Sequence, residues 1–188
     1  NQPLRYIGID FSVAALHAAQ DATSDALKHV DRLFSGRISG PTPVSLQWVR
    51  GRSVETLPFA DHSFDRIVAN LSLSFSRSPL HALRELFRVL RPGGKLIVSV
   101  ITPLADMALP YRSSLQELGV DAFSGDARLA LNRMAQCCVA LRVGQLHAFQ
   151  EESLSAALAQ VTSTPARLVR TFSGQILVAL AEKPDSAG

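Results

Sequence analysis

Cysteine is scarce in this chain. Only two occur in 188 residues, adjacent as Cys137 and Cys138. Neighbouring side chains diverge on a helix, so the pair matches no metal-ligand or redox spacing, and two cysteines build no disulfide framework. They are expected as small core fillers. Long apolar runs are missing too: none approaches the roughly 20 residues that cross a bilayer, which excludes a membrane-spanning helix. The opening residues, Asn1-Gln2-Pro3-Leu4-Arg5, have neither an initiator methionine nor the charged-then-apolar layout of a secretory signal. The start therefore reads as an internal boundary, and a cytoplasmic protein is expected. Excess charge of one sign is also lacking. The formal net charge is +3 and the arginines are spread over several segments, so nucleic acid is not an expected partner. A Gly-x-Gly-x-x-Gly run is absent, which argues against a nicotinamide-dinucleotide domain.

What is present suits a globular domain. An apolar fraction of 47% against 19% charged residues gives one domain of this length enough material for a real core. Residues 5–10 form a short apolar run closing on Asp10, and Ser12 is a candidate N-cap for a helix through about His29. Residues 35–43 read as a loop and 44–50, around Trp48, as the next strand. Residues 65–71 have the continuous apolar centre of a strand buried on both faces, which implies a parallel sheet. Ser78-Pro79 then suits the start of a helix whose Leu80, Leu83, Leu86, Phe87 and Leu90 share a stripe, with Arg84, Glu85, Arg88 and Arg91 facing out. Pro92-Gly93-Gly94 is expected to stop that helix and turn the chain into a strand over 96–100.

Beyond Pro103 the pattern changes. A helix over 104–118 interrupted by Pro110, a Gly/Asp loop and a longer helix over 126–143 ending at Gly144 look like an insertion over the strand ends. A further helix follows Gln150, and strands over 166–172 and 175–181 flank Ser173-Gly174 as a two-residue turn. The predicted class is α/β, with a mainly parallel, Rossmann-like sheet and a C-terminal antiparallel hairpin.

In an open α/β sheet the ligand lies beyond the carboxyl ends of the strands, where this chain delivers Asp10 and Asn70. A carboxylate there can accept charge-assisted hydrogen bonds from vicinal ribose hydroxyls, or can serve as a plain helix cap. Phe11 can cover an adenine ring or belong to the core. Asn70 can face a ligand or satisfy loop backbone.

Gly8-Ile9-Asp10-Phe11-Ser12 resembles the second-strand motif of class I S-adenosylmethionine-dependent methyltransferases. There the acid holds the cofactor's ribose and the next residue packs on adenine. Residues 53–59, Ser-Val-Glu-Thr-Leu-Pro-Phe, resemble the following motif, whose first position accepts from the adenine amino group. This chain has Ser53 there instead of an acid or amide, a loss of about 1 kcal/mol. Asp61, Ser63, Phe64 and Asp65 match the segment entering the fourth strand, and residues 88–95 match the turn into the fifth. Both are mainly architectural. The resemblance runs from about Tyr6 to Val100 and continues loosely through 149–158 and 172–183, which look like the ubiquinone-biosynthesis branch.

The resemblance implies S-adenosylmethionine as cofactor, a small-molecule methyl acceptor, and Asp10, Phe11, Ser53, Val54, Glu55 and Asn70 as cofactor-binding residues. Residues 104–148 would be the helical substrate cap. No metal is implied, and no catalytic residue is assigned. A base is needed only for a poorly acidic acceptor, and His147, Tyr111 and His81 are the candidates. His17, His29 and His62 show no ligand spacing. The family's first strand and its Gly-x-Gly-x-Gly turn are not found in these 188 residues. Either that segment precedes this one in a longer parent, or the second and fourth family strands close directly on each other. The alternative function is a non-catalytic methyltransferase-like module that binds a partner.

Overall fold

The computed structural model describes residues 4–34, 44–106, 109, 110, 112, 113, 116 and 125–185. The expected loop 35–43 and, within the expected helix 104–118, residues 107, 108, 111 (Tyr111), 114, 115, 117 and 118 lie outside the described residues. The chain divides into two compact units, Asn1–Ser53 and Val54–Gly188.

The first unit is a strand–helix–strand motif. Strand β1 (Leu4–Asp10) leads into α1 (Val13–Phe34) and returns as β2 (Val44–Arg50), paired with β1 in parallel from Leu4↔Val44 to Asp10↔Arg50. Helix α1 starts where the residues demand. The Asp10 carboxylate accepts from the Ser12 amide at 2.8 Å, and the Ser12 hydroxyl accepts from the Ala15 amide at 3.3 Å. Two orphan donors are thereby satisfied. Gly8 lies opposite Trp48, whose ring occupies the space a Cβ would need, and Tyr6 meets that ring edge-on at 5.9 Å. Gly8→Ala should therefore cost about 1–3 kcal/mol through overpacking. Urea unfolding followed by the fluorescence of Trp48, the chain's single tryptophan, measures it.

The second unit is built on a four-stranded sheet in the order β3-β4-β6-β5. Its elements are β3 (Phe64–Asn70), α2 (Ser72–Phe75), α3 (Pro79–Val89), β4 (Leu90–Ile101), α4 (Gly125–Arg142), α5 (Glu151–Ala159), β5 (Arg167–Thr171) and β6 (Ile176–Glu182). β3 and β4 run parallel, whereas β6 is antiparallel to both β4 and β5. The α/β, Rossmann-like class with a closing antiparallel hairpin is as expected. β1 and β2 form a two-stranded sheet, separate from the four-stranded one.

The core lies on one face of this sheet. Leu83, Leu86 and Phe87 of α3 and Leu154 and Leu158 of α5 pack with Val98 of β4 and its neighbours. Cys138 fills a smaller cluster with Ile101, Ala105 and Leu141, as expected of a small apolar side chain. The opposite face exposes apolar side chains. Val68, Ile97 and Leu180 stand in one cross-strand row, 70%, 39% and 38% exposed.

Three local readings are corrected. Glu85 and Arg88 do not simply face solvent. They clamp the 57–61 loop: the Glu85 carboxylate accepts from the Leu57 amide at 2.8 Å, while Arg88 donates to Glu85, to Asp61 and to the Phe59 carbonyl. Arg88 holds the Glu85 carboxyl below the usual glutamate range. Next, α3 ends at Val89 and Leu90 is already extended, so Pro92-Gly93-Gly94 lies within β4 as an irregularity, where Phe64↔Leu90 pairing jumps to Arg66↔Lys95. Gly93, at φ +67°, donates to the Lys183 carbonyl. Finally, four residues (172–175) separate β5 from β6. Phe172 and Ser173 are the positive-φ centre of the turn closed by the Gly174 amide on the Thr171 carbonyl.

Candidate nucleoside site

The carboxyl ends of β1 and β2 lie side by side because the ladder is in register to its last pair, Asp10↔Arg50. Just past them the Gly51 amide donates to the Asp10 carbonyl at 2.9 Å, which fixes the two loop starts together. The result is a hollow of about 450 Å³ lined by Phe11, Arg50, Gly51 and Arg52. Phe11 is 63% exposed, so of its two readings the core one fails. Asp10 does act as a cap through one oxygen, as noted above. Its second oxygen has no partner among the described residues, so a capping role and a ribose-binding role are compatible.

Arg50 and Arg52 were not singled out in the sequence, where an exposed arginine next to a strand end looks like any solvated charge. Neither guanidinium has a hydrogen bond or ion pair among the described residues. Ser53 closes this unit directly after them.

The remaining expected cofactor residues lie in the second unit. Val54 is half-buried against its core. Glu55 is turned to the entry of α3, where its Oε1 accepts from the Ser76 hydroxyl at 2.6 Å and from the Ser78 amide at 2.9 Å. Ser78 itself sits at the N-cap of α3 without a side-chain cap bond, and the Glu55 carboxylate answers its amide instead. Asn70 ends β3, and its Oδ1 accepts from the Ser99 hydroxyl. That same hydroxyl accepts from the Leu71 amide at 3.0 Å, steadying Leu71 at φ +56°. Asn70 thus has a structural partner at the carboxyl end of β3.

His81 is exposed and lines a different hollow beside α3 with Arg84, Glu85 and Arg88. His147 is exposed, its backbone amide held by the Ser74 carbonyl at 2.9 Å. Among the described residues no group of three or more His, Cys, Asp or Glu could hold a metal ion, and no helix is long and apolar enough to cross a membrane.

Residues 1–98 match the family model described as a methyltransferase domain. Among curated proteins, an 82-residue stretch is 38% identical to a ubiquinone/menaquinone biosynthesis C-methyltransferase of Roseobacter denitrificans, covering 44% of this chain and 32% of that protein. A 49-residue stretch is 51% identical to a malonyl-[acyl-carrier protein] O-methyltransferase of Erwinia pyrifoliae, covering 26% of this chain and 19% of that one. The chain therefore spans about a third or less of the length of these relatives. Among solved structures, a SAM-dependent methyltransferase from Thermotoga maritima superposes with a TM-score of 0.54 at 17% identity, over 94% of this chain and 72% of the other. That likeness is one of fold. The cofactor of these methyltransferases is S-adenosylmethionine. The chain belongs to the methyltransferase-domain family of class I S-adenosylmethionine-dependent methyltransferases.

Proposed function

We propose that the intact protein transfers a methyl group from S-adenosylmethionine to a small-molecule acceptor. The observation that carries this reading is the exposed Phe11 ring following Asp10 at the lip of the hollow. Asp10 accepts from the ribose hydroxyls through its unpartnered oxygen, Phe11 covers one face of adenine, and Ser53 replaces the acidic acceptor for the adenine amino group. The relatives support a small acceptor group, since their names give ubiquinone/menaquinone biosynthesis and malonyl-[acyl-carrier protein]. Residues 104–148 are assigned as the acceptor cap. Leu104, Leu129, Val139 and Val143 expose apolar side chains there, at 89%, 48%, 60% and 64%, which favours an apolar acceptor.

When bound, the cofactor supplies an activated methyl on a sulfonium. The protein's part is to align donor and acceptor and keep water out. His147 is the described residue of the cap region that could take a proton from a weakly acidic acceptor.

The methionine half of the cofactor needs backbone donors from a glycine-rich turn. We assign these to a strand–turn–helix segment of the parent protein. Its strand would pair with β3, which among the described residues has one hydrogen-bonded neighbour, β4, and its helix would cover the face around Val68. The apolar row Val68, Ile97 and Leu180 exposed on that face supports this reading. Calorimetric titration with S-adenosylmethionine of the 188-residue chain and of a version extended by that segment tests the function. Binding by the extended protein is the expected result. If it gives no heat at millimolar cofactor, the enzyme reading fails and the partner-binding module takes its place.

A further inference from the structure

We propose that the hollow at the end of β1 and β2 also takes adenine nucleotides, with the base on Phe11 and an anionic phosphate held by Arg50 and Arg52. The idea rests on the nucleoside reading of this hollow and adds a ligand of opposite charge to the sulfonium cofactor. Phe11, Arg50, Gly51 and Arg52 are the residues that line it. Two of the four are guanidiniums without an ion pair among the described residues, against one carboxylate, Asp10, which already accepts from the Ser12 amide. The first turn of α1, which starts three residues after Asp10, contains no acidic residue to offset the positive helix end.

The local balance is therefore cationic. A neutral adenosine gains stacking on Phe11 and nothing from that charge, whereas a phosphate attached to it gains Coulomb attraction and bidentate donors from the arginines. At a solvated site the gain is modest and salt-sensitive. Such a nucleotide would compete with the methyl donor for the same base seat, tying occupancy to the supply of free nucleotide.

The test is a set of titrations of the 188-residue chain, by ligand-observed NMR or calorimetry, with adenosine, S-adenosylhomocysteine, 5′-AMP, 3′-AMP and inorganic phosphate. At low salt 5′-AMP or 3′-AMP should bind about fivefold or more tightly than adenosine, the better isomer showing which ribose position faces the arginines. High salt should narrow the gap. The double variant Arg50→Gln/Arg52→Gln should abolish it, and Arg50→Lys/Arg52→Lys should keep the Coulomb part and so a smaller, still salt-sensitive gap, an outcome that a purely structural role for these side chains would not produce. If adenosine binds and neither nucleotide binds better, the inference is overturned while the nucleoside site stands. If inorganic phosphate competes as well as the nucleotides, the base seat plays no part and the inference is again overturned. If adenosine, S-adenosylhomocysteine and both nucleotides are all silent, the nucleoside reading falls along with it.

Discussion

Replacing Arg88 with methionine should destabilise the second unit by about 2–3 kcal/mol, and Glu85→Gln by about 1–2 kcal/mol, with the double variant costing about 1 kcal/mol less than the sum. The reason is the shape of the clamp. Arg88 donates to the Glu85 carboxylate, to Asp61 and to the Phe59 carbonyl, and Glu85 in turn holds the Leu57 amide. The Glu85 side chain is 12% exposed and that of Arg88 33%, so the cost is set below that of a fully buried pair. Trp48 reports on the other unit, so unfolding should be followed by far-ultraviolet circular dichroism. Acid adds a second reading. Arg88 depresses the Glu85 carboxyl in the folded state, so its stabilisation is complete above the ordinary glutamate value of about 4.3 and is lost as pH falls through the lower folded value. Glu85→Gln should flatten that acid limb. An Arg88→Met protein as stable as the parent, with an unchanged acid limb, would show that the loop is held by other contacts.

Val68→Lys should be nearly silent in the 188-residue chain, within about 0.5 kcal/mol, because the side chain is already mostly in water. In the protein extended by the proposed strand–turn–helix segment, the same substitution should cost about 3 kcal/mol. There the ammonium would be trapped between a helix and a sheet face, and cofactor binding should weaken in parallel. Chemical unfolding of the four proteins supplies the comparison. Equal, small effects in both backgrounds would mean that the added segment does not cover this face, and the proposed assembly would have to be abandoned.

Much of the scaffold was legible because local chemistry and tertiary demand agree. Asp10 and Ser12 cap α1, Gln150 precedes α5, and Leu83, Leu86 and Phe87 of the expected stripe on α3 are buried, while Leu80 is half-buried and Leu90 falls just past the helix. The misreadings share a cause. Helical periodicity separates polar from apolar faces, but it cannot tell that the 57–61 loop folds back over the polar face of α3, so Glu85 and Arg88 looked solvated. Pro92-Gly93-Gly94 carries the composition of a stop signal, yet Lys183, about ninety residues on, pairs with both glycines and holds the segment in β4 as an irregularity. At the hairpin, Ser173-Gly174 is the usual turn pair, but cross-strand register fixed by Thr171↔Ile176 moves the turn centre to Phe172-Ser173. Of the candidate site, Asp10 and Phe11 could be named from their place after a strand. Arg50 and Arg52 could not, since only the pairing of Asp10 with Arg50 brings them beside Phe11.

The Lys183 ammonium donates to the carbonyls of Phe87 and Leu90, and its backbone joins Gly93 and Gly94. Strand β6, just before it, is an interior strand flanked by β4 and β5. During synthesis, then, β4 emerges from the ribosome with one ladder unmade and must wait about eighty residues for its partner, at roughly 5–20 residues per second. For those seconds the nascent chain displays a bare apolar strand, the kind of segment that holdase chaperones engage and that mispairs when they are scarce.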